Sequence, residues 1–180
     1  MSETQKVIVG CDHCLIDKKE IIPIPEEARS PIVIGCDHAA FKLKETLKNY
    51  VMSLGINVRD LGAYSEESVD YPDVGIHLSH LVSTGQYKRG ILLCGTGLGM
   101  SMVANKFPNV RAALVNDLFS AAMSRCHNDA NVLVLGGRLI GDVLAKEIVK
   151  VWFQTAFDGG RHQKRIDKFN AVDPSKITME

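Results

Sequence analysis

The sequence predicts an α/β domain: a parallel sheet of about five strands with helices on both faces, preceded by an N-terminal extension. Two observations carry this. Short apolar, β-rich runs alternate with amphipathic helical stretches from residue 31 to about residue 157, and such alternation builds a sheet with crossover helices. The runs are also almost continuously apolar, as in PIVIGC (31–36) and NVLVLGG (131–137), which suits strands covered on both faces.

In chain order, PIVIGC is the first strand of this pattern. The stretch 39–55 follows as a helix, with Leu43, Leu47, Tyr50, Val51 and Leu54 at helical spacing and Gly55 as its stop. INVRDLG (56–62) is the next strand. A loop through SEESVDYPD leads to a helix over 74–84. RGILLCG (89–95) is a strand, 100–107 a short helix and VRAALVN (110–116) a strand. The stretch 117–128 is a helix with Asp117 as N-cap. NVLVLGG closes the strand series. The helix 139–157 places Ile140, Val143, Leu144, Ile148, Val151 and Trp152 on one face. The expected fold is a single three-layer, Rossmann-like domain over 31–170, with an extension at 1–30 and a tail at 171–180. The extension carries Pro23 and Pro25, which block a continuous helix, and one candidate strand, KVIVG (6–10).

Composition narrows the function. Lys plus Arg and Asp plus Glu both number 21, so no overall field draws the chain to nucleic acid or an anionic membrane. No apolar run approaches the roughly 18 residues of a membrane span, and the N-terminus shows no secretory signal. A cytoplasmic protein with free thiols at its five cysteines is expected.

LLCGTGLGMS (92–101) is the most informative stretch: a strand, three alternate glycines and a helix start. Ligands of parallel sheets sit beyond the carboxyl ends of strands. Glycines permit a tight turn that aims N–H groups at an anion. A purely steric turn is one reading. A dinucleotide site is another, but Met100 stands where its third glycine would be. The third is an oxyanion site for a reaction intermediate. Cys94 favours the third, since a thiol at the strand tip beside such donors suits a nucleophile or base; by itself a cysteine there is a small buried hydrophobe.

Asp37 and His38 end the strand at 31–36 and project onto the same sheet edge as Cys94, though an Asp there also suits an N-cap. His127 and Asn128 end a helix, where a histidine suits a C-terminal cap. Arg161 and Arg165 share one face if 160–170 is helical, and suit a dianion such as phosphate as well as a solvated basic face. Cys11 and Cys14 form C-x-x-C around His13, without the further ligands of a zinc site or the context of a redox motif.

Taken together, GCDHAAFKLKE, DYPD, CGTGLGMSMVANK, RAALVND, HNDANVLVLGGR and GGRHQKR resemble, in order and spacing, the type B ribose-5-phosphate isomerases, a group that includes the galactose-6-phosphate isomerases. The resemblance spans about residues 31–170. It implies that Cys94 is the base moving a proton between C2 and C1. Gly95, Thr96, Gly97, Leu98, Gly99 and Ser101 form the loop that stabilises the enediolate. His127 opens the furanose ring, with Thr96 and Asp37 close to the sugar. Asp37, His38 and Asn128 contact the sugar, Arg161 and Arg165 bind the phosphate, and Arg138 is a further binding arginine. The resemblance also implies a homodimer, or a tetramer, with sites completed by both chains, and no metal or coenzyme.

Two other functions compete: isomerisation of allose 6-phosphate or galactose 6-phosphate, and non-catalytic sensing of a sugar phosphate. The retained HND and GGRHQKR favour the five-carbon enzyme, and a sensor would have lost the base or the anchors. VIVGCDH (7–13) echoes IVIGCDH (32–38). Only the second copy is followed by a helix and the other motifs, so Asp37 and His38, not Asp12 and His13, are assigned to the site.

Overall fold

A computed structural model describes residues 23–172 together with two short strands, Val7–Ile8 (β1) and Leu15–Ile16 (β2), which pair antiparallel. The expected strand at 6–10 therefore holds β1; Cys11, Asp12, His13 and Cys14 lie outside the described residues, as does the tail from 173. A 3-10 turn at Glu26–Arg29 leads into the sheet, and Ile24 and Ala28 are buried in the core. The packed body thus begins upstream of residue 31.

The main sheet has five parallel strands: Ile32–Cys36 (β3), Val58–Asp60 (β4), Gly90–Cys94 (β5), Ala112–Leu114 (β6) and Val132–Gly136 (β7). Their order is β4-β3-β5-β7-β6, so the winding reverses between β3 and β5. Among the described residues six α-helices flank the sheet: Phe41–Ser53 (α1), Tyr71–Ser83 (α2), Leu98–Ala104 (α3), Leu118–Cys126 (α4), Asp142–Gln154 (α5) and Arg161–Asn170 (α6).

Alternate strand residues face opposite layers. Ile32, Ile34, Cys36, Ile91, Leu93, Leu133 and Leu135 pack with α1, α4 and α5, where Leu47, Ile148 and Trp152 are fully buried. Val33, Leu92, Cys94, Val132 and Val134 pack with α2 and α3 through Leu78 and Met100. Each such side chain contributes about 1.5–3 kcal/mol by burial. Gly35 lets α2 approach the sheet: a Cβ there would lie 2.5 Å from Val74 Cγ1.

Several boundaries differ from the periodicity reading. Helix α2 begins at Tyr71, not 74, because Pro72 sits in the first turn, where its missing N–H costs nothing. Helix α3 begins at Leu98 directly after Gly97, two residues ahead of its first expected position. Helix α5 is shorter at both ends than 139–157, and Val143 and Leu144 are exposed rather than part of its buried face. Its first turn, from Asp142 to Leu144, is exposed, and burial begins at Ala145.

One buried contact was not anticipated. Lys44 of α1 has no solvent exposure. Its Nζ bonds both carboxylate oxygens of Asp60, at 2.9 and 2.8 Å, and the Ala63 carbonyl at 2.8 Å. Lys48 adds a second ion pair to Asp60 at 2.8 Å. Burial alone would raise the Asp60 pKa, but hydrogen bonds from Lys44 and Lys48 outweigh it and hold the carboxyl below its ordinary value. The network clamps α1 to the carboxyl end of β4.

Candidate active site

The carboxyl edge of the sheet gathers one group of candidates. Cys94 ends β5, 5% exposed. The Gly97 N–H donates to Cys94 Sγ at 3.1 Å, so the loop folds back over the sulfur. Gly97 has φ +78°, and a Cβ there would run into Leu114 and the Leu135 backbone; only glycine fits this turn. Thr96 is exposed at the loop crest, its Oγ1 accepting from the Leu98 N–H at 3.4 Å. The Ser101 hydroxyl donates to the Leu98 carbonyl at 2.8 Å. Tyr71 lies against Gly99, where a Cβ would clash with its ring.

Asp37 reaches the same edge from β3, its N–H bonded to the Leu93 carbonyl at 3.1 Å. It is buried, and its Oδ1 accepts from the Ala39 N–H at 3.0 Å, which caps a 3-10 turn at His38–Ala40. The N-cap reading of Asp37 is therefore satisfied. His38 Nδ1 stands 3.3 Å from both the amide nitrogen and the carbonyl oxygen of Val69, just ahead of α2. Arg138 joins this group after β7: its N–H bonds the Gly95 carbonyl at 3.0 Å and its side chain runs beside Gly95. The neighbouring Cys36 faces the other layer, and burial pushes its thiol up to about 12, which leaves it inert.

The second group lies at the opposite edge. Helix α4 returns from the carboxyl end of β6 to the amino end of β7, so His127, its C-cap, sits at the amino edge. Arg111 there donates from Nε to the Asn128 carbonyl at 3.1 Å. The His127 ring stacks on His162 of α6, with centroids 4.2 Å apart and planes 4° from parallel. Arg161 Nε donates to His162 Nε2 at 3.3 Å. Burial, then the charges of His127, Arg161 and Arg165, lower the His162 pKa and favour the neutral acceptor. Arg161 and Arg165 are both exposed on α6, four residues apart on one face.

Within one chain the two groups do not meet. Five-residue strands separate the edges by roughly 16 Å at about 3.3 Å per residue. A cleft of about 610 Å³ bordered by Asn105, Arg111, Asn128 and Phe169 opens at the amino edge and includes no residue of 94–101. The cleft thus takes in Asn128 of the second group and none of the first. His162 is the residue that sequence reading missed: it stands inside GGRHQKR, where a histidine among cations reads as one more surface charge.

Comparison with known proteins places the chain in a family. Residues 32–169 match the ribose/galactose isomerase family model. Ribose-5-phosphate isomerase B of Escherichia coli is 42% identical over 133 residues, covering 74% of this chain and 89% of that protein. A crystal structure of a ribose 5-phosphate isomerase from Thermotoga maritima is 53% identical, covers 79% of this chain and 98% of its own, and superposes with a TM-score of 0.77. Ribose-5-phosphate isomerase B of Mycoplasma genitalium, solved with bound ribulose 5-phosphate, is 40% identical, covers 78% and 94% of the two chains, and gives a TM-score of 0.75. With the family model spanning nearly the whole sheet-and-helix body, the chain belongs to the ribose/galactose isomerase family.

Proposed function

We propose that the protein interconverts ribose 5-phosphate and ribulose 5-phosphate as a homodimer whose active sites combine the carboxyl edge of one chain with the amino edge of the other. The observation that carries the chemistry is the sulfur of Cys94 beneath the Gly97 amide, at the end of β5 beside the point where the winding reverses. Ligands bind at such switch points in open α/β sheets.

His127 acts on the closed furanose and releases the aldehyde. Cys94 as thiolate removes the C2 proton, and the electron pair moves through an enediolate whose charge the loop N–H groups meet. The thiol then returns the proton to C1, while a proton moves from O2 to O1, which converts aldehyde and alcohol into alcohol and ketone. Arg161 and Arg165 hold the phosphate, which fixes the reacting carbons over the sulfur. Asp37, His38, Asn128 and Arg138 contact the sugar.

The two-edge separation supports the dimer. So do apolar side chains left exposed on the carboxyl edge: Leu98 and Met102 on α3, Phe119 on α4, Leu139, and Val143 on α5. A face of that kind suits cover by a second copy.

The test is complementation. Cys94→Ala and Arg165→Ala chains are each strongly impaired on ribose 5-phosphate, and co-expression regenerates one intact site per hybrid dimer. About a quarter of wild-type turnover is expected, since half the dimers are hybrids with one of two sites whole. Sites confined to single chains would give no recovery. A higher kcat/KM on allose 6-phosphate than on ribose 5-phosphate would move the assignment to six-carbon sugars.

A further inference from the structure

Cys126, His127 and Asp158 form a cluster that the isomerase reaction does not use as a unit. Their ligand atoms all lie within 4.8 Å of one another. Cys126 Sγ stands 2.9 Å from Asp158 Oδ2, and the Asp158 N–H bonds the Cys126 carbonyl at 3.0 Å, which fixes the loop after α5 against the end of α4. Cys126 is buried, His127 half-buried and Asp158 exposed, so the cluster opens to solvent on its carboxylate side.

We propose that Cys126, His127 and Asp158 bind a thiophilic divalent ion of the zinc type. One sulfur, one imidazole nitrogen and one carboxylate oxygen are a favoured donor set for such an ion, and three protein ligands leave a fourth position for water. Tetrahedral bonds of about 2.0–2.3 Å set the ligand atoms roughly 3.3–3.6 Å apart, so the 2.9 Å sulfur–carboxylate contact opens slightly while the wider separations, up to 4.8 Å, close by about an ångström, both within reach of side-chain rotation. Binding replaces the thiol proton: Cys126 leaves as thiolate on the metal and one proton goes to solvent. The ion also occupies the His127 ring, so a loaded chain is a poor isomerase; this consequence rests on the assignment of His127 to ring opening.

The experiment uses the full chain and two probes. Zinc affinity is measured by competition with a chromophoric chelator, and cobalt(II) is added to read a sulfur-to-metal charge-transfer band. The wild type and a Cys11→Ser/Cys14→Ser variant are expected to bind one ion at this site and show the band. Cys126→Ser is expected to lose the band and to weaken zinc binding by more than the roughly 10–100-fold that a merely supporting residue costs. Asp158→Asn weakens it as well. Both variants keep basal turnover without metal, and Cys126→Ser keeps it when zinc is added. Unchanged affinity in Cys126→Ser, or binding lost only in Cys11→Ser/Cys14→Ser, overturns the site. Full turnover by a zinc-loaded wild type leaves the site standing and removes His127 from the reaction.

Discussion

The two edges of the sheet are built in different ways. At the carboxyl edge the chemistry rests on backbone: Gly97 turns through a positive φ and presents its N–H to Cys94, and Arg138 is tied by its own amide to Gly95. At the amino edge it rests on side chains brought from distant elements: His127 from α4 stacks on His162 from α6, which accepts from Arg161. In the proposed reaction the first edge would supply fixed donors for the charge that develops on the enediolate oxygens, and the second would supply long, exposed cations for the phosphate end of the substrate.

The sharpest way to break the comparison is at the sulfur. Cys94→Ala is expected to lower kcat on ribose 5-phosphate by about 10²–10⁴-fold, with circular dichroism unchanged. A variant with near-normal turnover would leave the carboxyl edge without its base. Next come the anchors. Arg161→Ala and Arg165→Ala should each lower kcat/KM by about 10–100-fold, from roughly 1.5–3 kcal/mol per charged hydrogen bond. A deficit that vanishes on a sugar lacking phosphate would identify the lost partner, whereas an equal deficit on both sugars would place the arginines elsewhere.

His162→Ala should act more weakly, because it works through its neighbours. It removes the stacking face of His127 and the acceptor for Arg161, so kcat should fall several-fold, with restoration by His162→Phe of the part due to stacking. Equal activity of the alanine and phenylalanine variants would show that stacking does not position His127.

Stability sharpens a different contrast, between the clamped β4 edge and the rest. Asp60→Asn takes the shared carboxylate from Lys44 and Lys48, leaves Lys44 with Glu45 at 2.9 Å and the Ala63 carbonyl, and should cost about 1.5–3 kcal/mol in urea unfolding. The sign with pH follows from the depressed Asp60 value. Its stabilisation is fully present above the unfolded aspartate value, about 3.9, and disappears as pH falls through the lower folded value. Acid should therefore destabilise the wild type more than Asp60→Asn in that window, and parallel acid curves would refute the clamp.

Strands were the most legible part of the fold, because PIVIGC and NVLVLGG are apolar on both faces wherever they sit. Helix stripes were legible only in part. Val143 and Leu144 share the spacing of Ile148, yet they stand in the first turn of α5 and stay exposed. The loop at 94–101 was legible because its turn is local. The meeting of His127 with His162, and of Cys126 with Asp158, joins residues more than 30 positions apart and leaves no periodic mark. Lys44 reads as one more cation of an amphipathic helix, and nothing in its own surroundings in sequence announces that Asp60 will be waiting beneath it.

That buried amine offers a built-in clock. Among the described residues Lys44 is the lysine sealed from solvent, while Lys42 of the same helix stands open. A reagent that acylates amines will mark the open ones at once and reach Lys44 only when α1 lifts from β4. The delay between the two events, followed by peptide mass, measures how often this side of the folded protein breathes.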